Sequence, residues 1–313
     1  MKKAVFAALV LLLGAILVAR FVAPEKSDIA WRVLSGQSPY CPMPLALATP
    51  EKQKEQVAMK DKFIEILKLG GEDEAFDRWD LPAFDGHAAR FFWIPKGNRW
   101  VLPFNLAEQA RDIYQTKGEW GIREGDVVLD CGAHVGTFTQ TALSRGAAKV
   151  VAIEPSPRNV ECLRRNFPKE IESGRVVIYA KGVWNKDDTM VLEQVHDNSA
   201  ADTVVMHQPG AAEGERVPLT TIDKLVAELG LTRVDYIKMD IEGAEVPALQ
   251  GAAKTLPKWK PRLALAAYHK LDDPVTIPAA VDKLAEGYSH RCGSCVMDEA
   301  GVRPEVLLFQ APR

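Results

Sequence analysis

Past Ala23 the sequence has no further apolar run of the roughly 17–25 residues that a membrane-spanning helix needs, so any attachment to a bilayer falls to the N-terminus. A basic excess is missing as well: 39 lysines and arginines stand against 42 aspartates and glutamates, a net charge of −3. Proteins that grip nucleic acid carry a basic surface or stripe, so no nucleic-acid partner is expected. Cysteine is scarce and odd in number. The five (Cys41, Cys131, Cys162, Cys292 and Cys295) are scattered along the chain, which reads as no disulfide framework and fits a reducing compartment better than an oxidising one. There is no internal repeat and no polar or collagen-like tract. What remains is an ordinary globular composition, 47% hydrophobic and 26% charged over 313 residues. That length allows one large α/β domain with an N-terminal extension, or two small domains.

The N-terminus stands apart. Lys2 and Lys3 precede an apolar run from Ala4 to Ala19, which continues after Arg20 as Phe21-Val22-Ala23. Residues 1–23 read as a signal-anchor or transmembrane helix. Signal cleavage wants small residues one and three positions before the cut. Phe21 and Leu17 fall at the outer of these positions for cuts after Ala23 and Ala19. A retained single anchor is therefore expected, with secretion after cleavage as the alternative. Lys2 and Lys3 on one side and Arg20, Lys26 and Arg32 on the other nearly balance, so the positive-inside rule hardly sets the orientation.

Residues 24–50, rich in proline and serine, read as a linker. Residues 51–120 read as a helical and hairpin extension. Glu51 to Leu69 has helical spacing and ends at Gly70-Gly71, Arg90–Ile94 and Arg99–Leu102 suggest a hairpin, and Asn105 would cap a helix ending near Gly118. The aromatics Phe91, Phe92, Trp93 and Trp100 pack that hairpin on the core or line an acceptor groove. From residue 121 to 313 short apolar runs alternate with amphipathic helices: Val127–Leu129, Val150–Ile153, Val176–Tyr179, Tyr236–Met239 and Leu263–Ala267. Ser156 with Pro157, and Thr221, mark helix starts. The pattern predicts βαβ units and a doubly wound, mostly parallel sheet. It closes with an antiparallel C-terminal hairpin of Tyr288–Arg291 and Val306–Phe309, turning at Glu299-Ala300-Gly301.

Three blocks carry chemistry. In Asp130-Cys131-Gly132-Ala133-His134-Val135-Gly136 a buried strand ends in a carboxylate and enters a turn with glycines spaced Gly-x-x-x-Gly. Glycine lets backbone approach a ligand closely and take positive φ. This is not the Gly-x-Gly-x-x-Gly of a dinucleotide fold, which argues against a nicotinamide-dependent oxidoreductase. Asp130 suits a ligand with a cationic amino-acid part. Glu154, before Pro155 and 22 residues after Gly132, stands where an acidic side chain takes a ribose diol. Finally, Lys238-Met239-Asp240-Ile241-Glu242-Gly243-Ala244-Glu245 puts Lys238 and Asp240 on one face of a strand. Charges there are rare unless paired or functional. The structural alternative is a Lys238–Glu ion pair with helix capping by Glu242 and Glu245.

These blocks, with Ile153-Glu154-Pro155-Ser156-Pro157-Arg158-Asn159 and Leu249-Gln250-Gly251-Ala252, resemble the FkbM family of methyltransferases from about Gly125 to His269. The resemblance implies a seven-stranded class I methyltransferase fold, S-adenosylmethionine as donor and O-methylation of sugar or polyketide-type hydroxyls. Cofactor contacts then fall to Asp130, Gly132, Ala133, His134, Gly136, Glu154 and Pro155. Two departures stand out: His134 replaces the Asn common in the family, and Ala267 replaces a Glu that precedes the family His by two residues, here in Ala267-Tyr268-His269.

The donor's sulfonium already makes its methyl group electrophilic, so the protein mainly aligns a nucleophile and excludes water. A neutral hydroxyl is a weak nucleophile, and a base helps. His269 and Asp240 are the expected bases, with Lys238 alongside. A divalent cation on Asp240 and Glu242 would instead acidify the hydroxyl. The acceptor is expected to be a small molecule or glycan. A membrane-tethered binding module that has lost turnover is the remaining alternative, suggested by Ala267. Because the methyl donor is made in the cytosol, the catalytic domain is expected on the cytoplasmic face. Cys292-Gly293-Ser294-Cys295 reads as hairpin residues rather than a zinc site.

Overall fold

A computed structural model describes residues 23–38, 40–84, 88–195, 197–205, 212–298 and 301–312. The expected N-terminal hydrophobic helix lies outside the described residues, among which no helix is long and apolar enough to cross a membrane. The membrane anchor therefore finds no support in the structure. Residues 299 and 300 of the expected turn also lie outside.

The stretch 24–50 is largely helical rather than a linker. Helix α1 spans Pro24–Leu34 and α2 spans Met43–Ile66. The prolines misled because Pro24 and Pro44 fall in first turns, where the missing N–H costs no hydrogen bond. Next come β1 (Lys68–Glu72), β2 (Phe76–Leu81), β3 (Arg90–Pro95) and α3 (Val101–Arg111). The strand at Arg90 is real, but its antiparallel partner is β2, not Arg99–Leu102. After Gly97 the Val101 N–H bonds the Asn98 carbonyl, and α3 begins there, burying Val101, Leu102 and Leu106. Asn105 sits inside that helix. Phe63, Leu81, Phe92, Ile94, Leu102 and Leu106 form a core that seats this unit on Val135 and Cys162.

The remaining elements are β4 (Val127–Cys131), α4 (Thr137–Ser144), β5 (Lys149–Ile153), α5 (Pro157–Asn166), α6 (Pro168–Glu172) and β6 (Val176–Tyr179). A small sheet follows, of β7 (Gly182–Val183), β8 (Asp188–Gln194) and β9 (Ala212–Thr220). Then come α7 (Ile222–Glu228), β10 (Tyr236–Met239), α8 (Glu245–Gln250), α9 (Thr255–Trp259), β11 (Arg262–Ala266), α10 (Asp273–Leu284), β12 (Ser289–Asp298) and β13 (Gly301–Gln310). Seven strands form one sheet in the order β12-β13-β11-β10-β4-β5-β6. Only β13 runs against the rest. This is the expected α/β, methyltransferase-like sheet with its antiparallel C-terminal hairpin.

Alternation along each strand builds two cores. Leu129, Val151, Ile237 and Leu263 face α7, α8 and α10, while Val128, Val150, Tyr236 and Ala264 face α4 and α5. Both faces are covered, so the parallel strands are apolar almost throughout. Against the expectation of unpaired cysteines, Cys41 and Cys295 form a disulfide that ties the loop before α2 to β12. The pairing withdraws the argument for a reducing compartment. Ile29, Ala46 and Val302 pack around it.

Candidate functional site

The strands β4 and β10 end side by side, with Lys238 beside Asp130 and Met239 beside Cys131. From β4 the chain builds β5 and β6 to one side, then returns for β10 and β11 on the other. The space beyond these two ends is the switch point at which open α/β sheets bind ligands. A cavity of about 820 Å³ lies there, lined among others by Gly132, Ala133, His134, Glu154, Pro155, Lys238, Asp240 and Glu242.

Gly132 has φ +77°, and a Cβ there would come within 1.9 Å of the Asp240 carbonyl oxygen. The turn is thus pressed against the end of β10, as the Gly-x-x-x-Gly spacing suggested. Gly136 (φ +95°) is held as closely, by the Phe167 ring. Glu154 is buried at the end of β5, accepting the His134 backbone N–H on Oε2 at 2.8 Å and that of Ser156 on Oε1 at 2.9 Å. Burial outweighs these bonds and raises its pKa to about 7. A carboxylate offers about four lone-pair sites, so acceptor capacity remains toward the cavity.

The His134 ring bridges α3 and the loop after β8. The Asn105 amide meets Nδ1 at 3.1 Å and the Ser199 hydroxyl meets Nε2 at 2.7 Å. Burial, with help from Lys238 and Arg158, lowers its pKa to about 3, so the ring is neutral and structural in its polar contacts.

Asp130 departs from its expected place. It is fully buried and does not line the cavity; it accepts the Thr139 hydroxyl at 2.7 Å and pairs with Lys238 Nζ at 3.4 Å. Lys238 Nζ also donates to the carbonyls of Gly132 (2.8 Å) and Cys131 (3.3 Å). Burial opposes its charge, but Asp130 and Asp240 outweigh burial and hold its pKa above the ordinary value. The ion pair is therefore with Asp130 rather than a Glu. Lys238 and Asp130 position the glycine turn from beneath.

Asp240 also lines the cavity. Tyr114 donates its hydroxyl to Oδ2 at 2.7 Å and Tyr268 donates to Oδ1 at 3.3 Å. Burial favours protonation, yet Lys238, His269 and the two hydroxyls together keep the carboxyl below its ordinary range. An acid held ionised and hydrogen-bonded in this way is a weak base. His269 does not line the cavity, its side chain being 3% exposed. Burial opposes its charge, but Glu245 and Glu242 raise its pKa well above the ordinary value. Set behind the cavity wall, the ring reaches no hydroxyl bound there, which removes His269 as the base.

Several cavity residues were not foreseen. Glu108 from α3 and Glu305 from β13 line the cavity near Asp240. Burial, and then the nearby Asp240 and Glu305, push the Glu108 pKa well above the carboxylate range. Tyr268 was legible in principle, as the residue just past β11, at the carboxyl end of a parallel strand. Of the four aromatics, Phe92 is core, whereas Trp100 (53% exposed) lines the cavity mouth with Phe104.

Residues 130–291 match the model of the methyltransferase FkbM domain. The chain is 26% identical over 179 residues to the 31-O-demethyl-FK506 methyltransferase FkbM of Streptomyces tacrolimicus, covering 48% of this chain and 68% of that protein. It is 28% identical over 201 residues to the AMB antimetabolite synthetase AmbE of Pseudomonas aeruginosa, covering 50% of this chain but 9% of that much longer protein. Among solved structures it is similar to the methyltransferase FkbM of Methylobacillus flagellatus, with a TM-score of 0.45 and 16% identity over 68% of this chain and 55% of that one. With half of its length matched by the domain that also organises the cavity, the chain belongs to the FkbM methyltransferase family.

Proposed function

We propose that the protein transfers a methyl group from S-adenosylmethionine to a hydroxyl of a sugar, glycan or related small metabolite. The observation that carries this reading is the joining of two features in one cavity: a glycine turn seated on the end of β10, and the Glu154 carboxylate beside it. The residues present fit the donor. Gly132, Ala133 and His134 offer close backbone, Glu154 has acceptor sites left for a ribose diol, and Ile153, Pro155, Val183 and Leu219 form an apolar wall for a base. The ionised Asp240 gives the cavity a negative group that suits a cationic amino acid and sulfonium.

When bound, the donor supplies an activated methyl group, and the protein's work is orientation, desolvation and proton removal. Tyr114 and Tyr268 fix the Asp240 carboxylate, which stays ionised in the cavity. Trp100 and Phe104 at the mouth give the acceptor an apolar surface on which a sugar face can stack. The test is twofold. Calorimetry on the purified chain should detect S-adenosylmethionine. Mass spectrometry of glycans, lipids and small metabolites from cells lacking the gene should show a species lighter by one methylene. Absence of heat from the donor would sink the reading.

A further inference from the structure

We infer that Asp240, Glu242 and His269 form a divalent-cation site at the acceptor end of the cavity, with His269 as a ligand rather than a base. Asp240 and Glu242 line the cavity, and His269 backs them from behind its wall. The imidazole Nε2 lies 3.4 Å from Asp240 Oδ1 and 3.5 Å from Glu242 Oε1. Ligand atoms bound to one cation at about 2.0–2.2 Å stand roughly 3.0–3.5 Å apart, so both distances from the imidazole match neighbouring ligands of one ion, and the three ligand atoms all lie within 4.8 Å of one another. A second observation is independent of the acidic residues. His269 is almost fully buried, and its Nε2 makes no hydrogen bond although two carboxylate oxygens are close. An unsatisfied buried ring nitrogen is costly, and a cation that takes the place of the ring proton, released to solvent, satisfies it.

The surroundings are those of a metal ligand. Glu245 Oε1 meets His269 Nδ1 at 3.1 Å and also accepts the Ile241 N–H at 3.0 Å. A carboxylate on the far nitrogen fixes the ring and directs the other lone pair to the metal. Tyr114 holds Asp240 through Oδ2, which leaves Oδ1 on the His269 side. Glu242 takes a left-handed φ of +53°, uncommon for a residue with a side chain and found where function constrains backbone. Two carboxylates and one imidazole suit Mn²⁺ and its neighbours better than a purely oxygen-seeking ion. The positions left open face the cavity, where an acceptor hydroxyl would be coordinated and made more acidic. That role, though not the binding itself, rests on the proposed methyl transfer.

The full chain, titrated with Mn²⁺ alone and followed by electron paramagnetic resonance, should bind one ion. Glu242→Gln, a change on the cavity surface, should weaken it at least tenfold. His269→Asn should do the same while retaining the wild-type circular dichroism spectrum. Failure of the wild-type chain to bind Mn²⁺ at millimolar concentration, or binding that both variants leave unchanged, would overturn the inference. S-adenosylmethionine is titrated separately. Donor binding without Mn²⁺ binding removes only the cation site, and Mn²⁺ binding without donor binding removes only the methyl-transfer reading.

Discussion

Glu154 accepts the backbone N–H of His134 at 2.8 Å, so the acidic end of the second sheet strand is latched to the turn that follows the first. The latch makes cofactor recognition depend on the ionisation of one carboxyl. Its pKa in the folded chain, about 7, lies above the ordinary 4.5. Between those values the folded state keeps a proton that the unfolded state has lost, so this group's contribution to stability falls as pH rises from about 4.5 to about 7. Acceptance of ribose hydroxyls needs the ionised form. Affinity for S-adenosylmethionine should therefore tighten as pH rises through 7. Glu154→Gln should flatten both trends, as read by calorimetry and thermal melts at pH 5.5–8.5.

Gly132→Ala places a methyl group on the Asp240 carbonyl oxygen, a backbone atom that cannot rotate away, at a φ that disfavours any side chain. Stability should fall by about 2–4 kcal/mol and donor binding should be lost. A variant that binds normally would show that the turn yields, and that it is no cradle.

Removing Lys238 should act through stability. Lys238→Met strands Asp130 in the core beside Thr139, at a cost of about 3–5 kcal/mol. Adding Asp130→Asn should recover much of that loss in denaturant titrations. A Lys238 acting directly on substrate would instead leave the double variant stable but inactive at saturating donor.

Glu108→Gln tests whether that buried carboxyl keeps its proton. Burial first, then Asp240 and Glu305, hold Glu108 neutral, so the neutral amide should leave donor affinity and turnover within about twofold of wild type. A drop in turnover of about 10²-fold would show that Glu108 ionises and takes part in the chemistry.

The parallel sheet was legible because its strands are short apolar runs closed by turn residues. The glycine turn and Glu154 were legible because each sits at such a strand's end, and local sequence places them. What escaped notice is assembled across the chain. Tyr114 reaches Asp240 over 126 residues, and Glu305 arrives from the last strand. β2 was hidden by its charges, Asp77, Arg78 and Asp80, of which Arg78 and Asp80 pair with each other. Asp130 was read as ligand-facing because a carboxylate at a strand end looks alike whether it points to the cavity or beneath it. Only the Lys238 ammonium across the register separates the two cases.

The Cys41–Cys295 link spans 254 residues, so most of the chain is a covalent ring with two tails. A single backbone cut within the ring leaves one molecule on electrophoresis without reductant and two fragments with it. Tension between the two tails passes through the sulfur bridge and bypasses everything from Asp130 to His269. Pulling on the ends of this protein should therefore load β13 and its Glu305, which lie on the C-terminal tail, while the cavity residues inside the ring stay unstretched until that bridge is reduced.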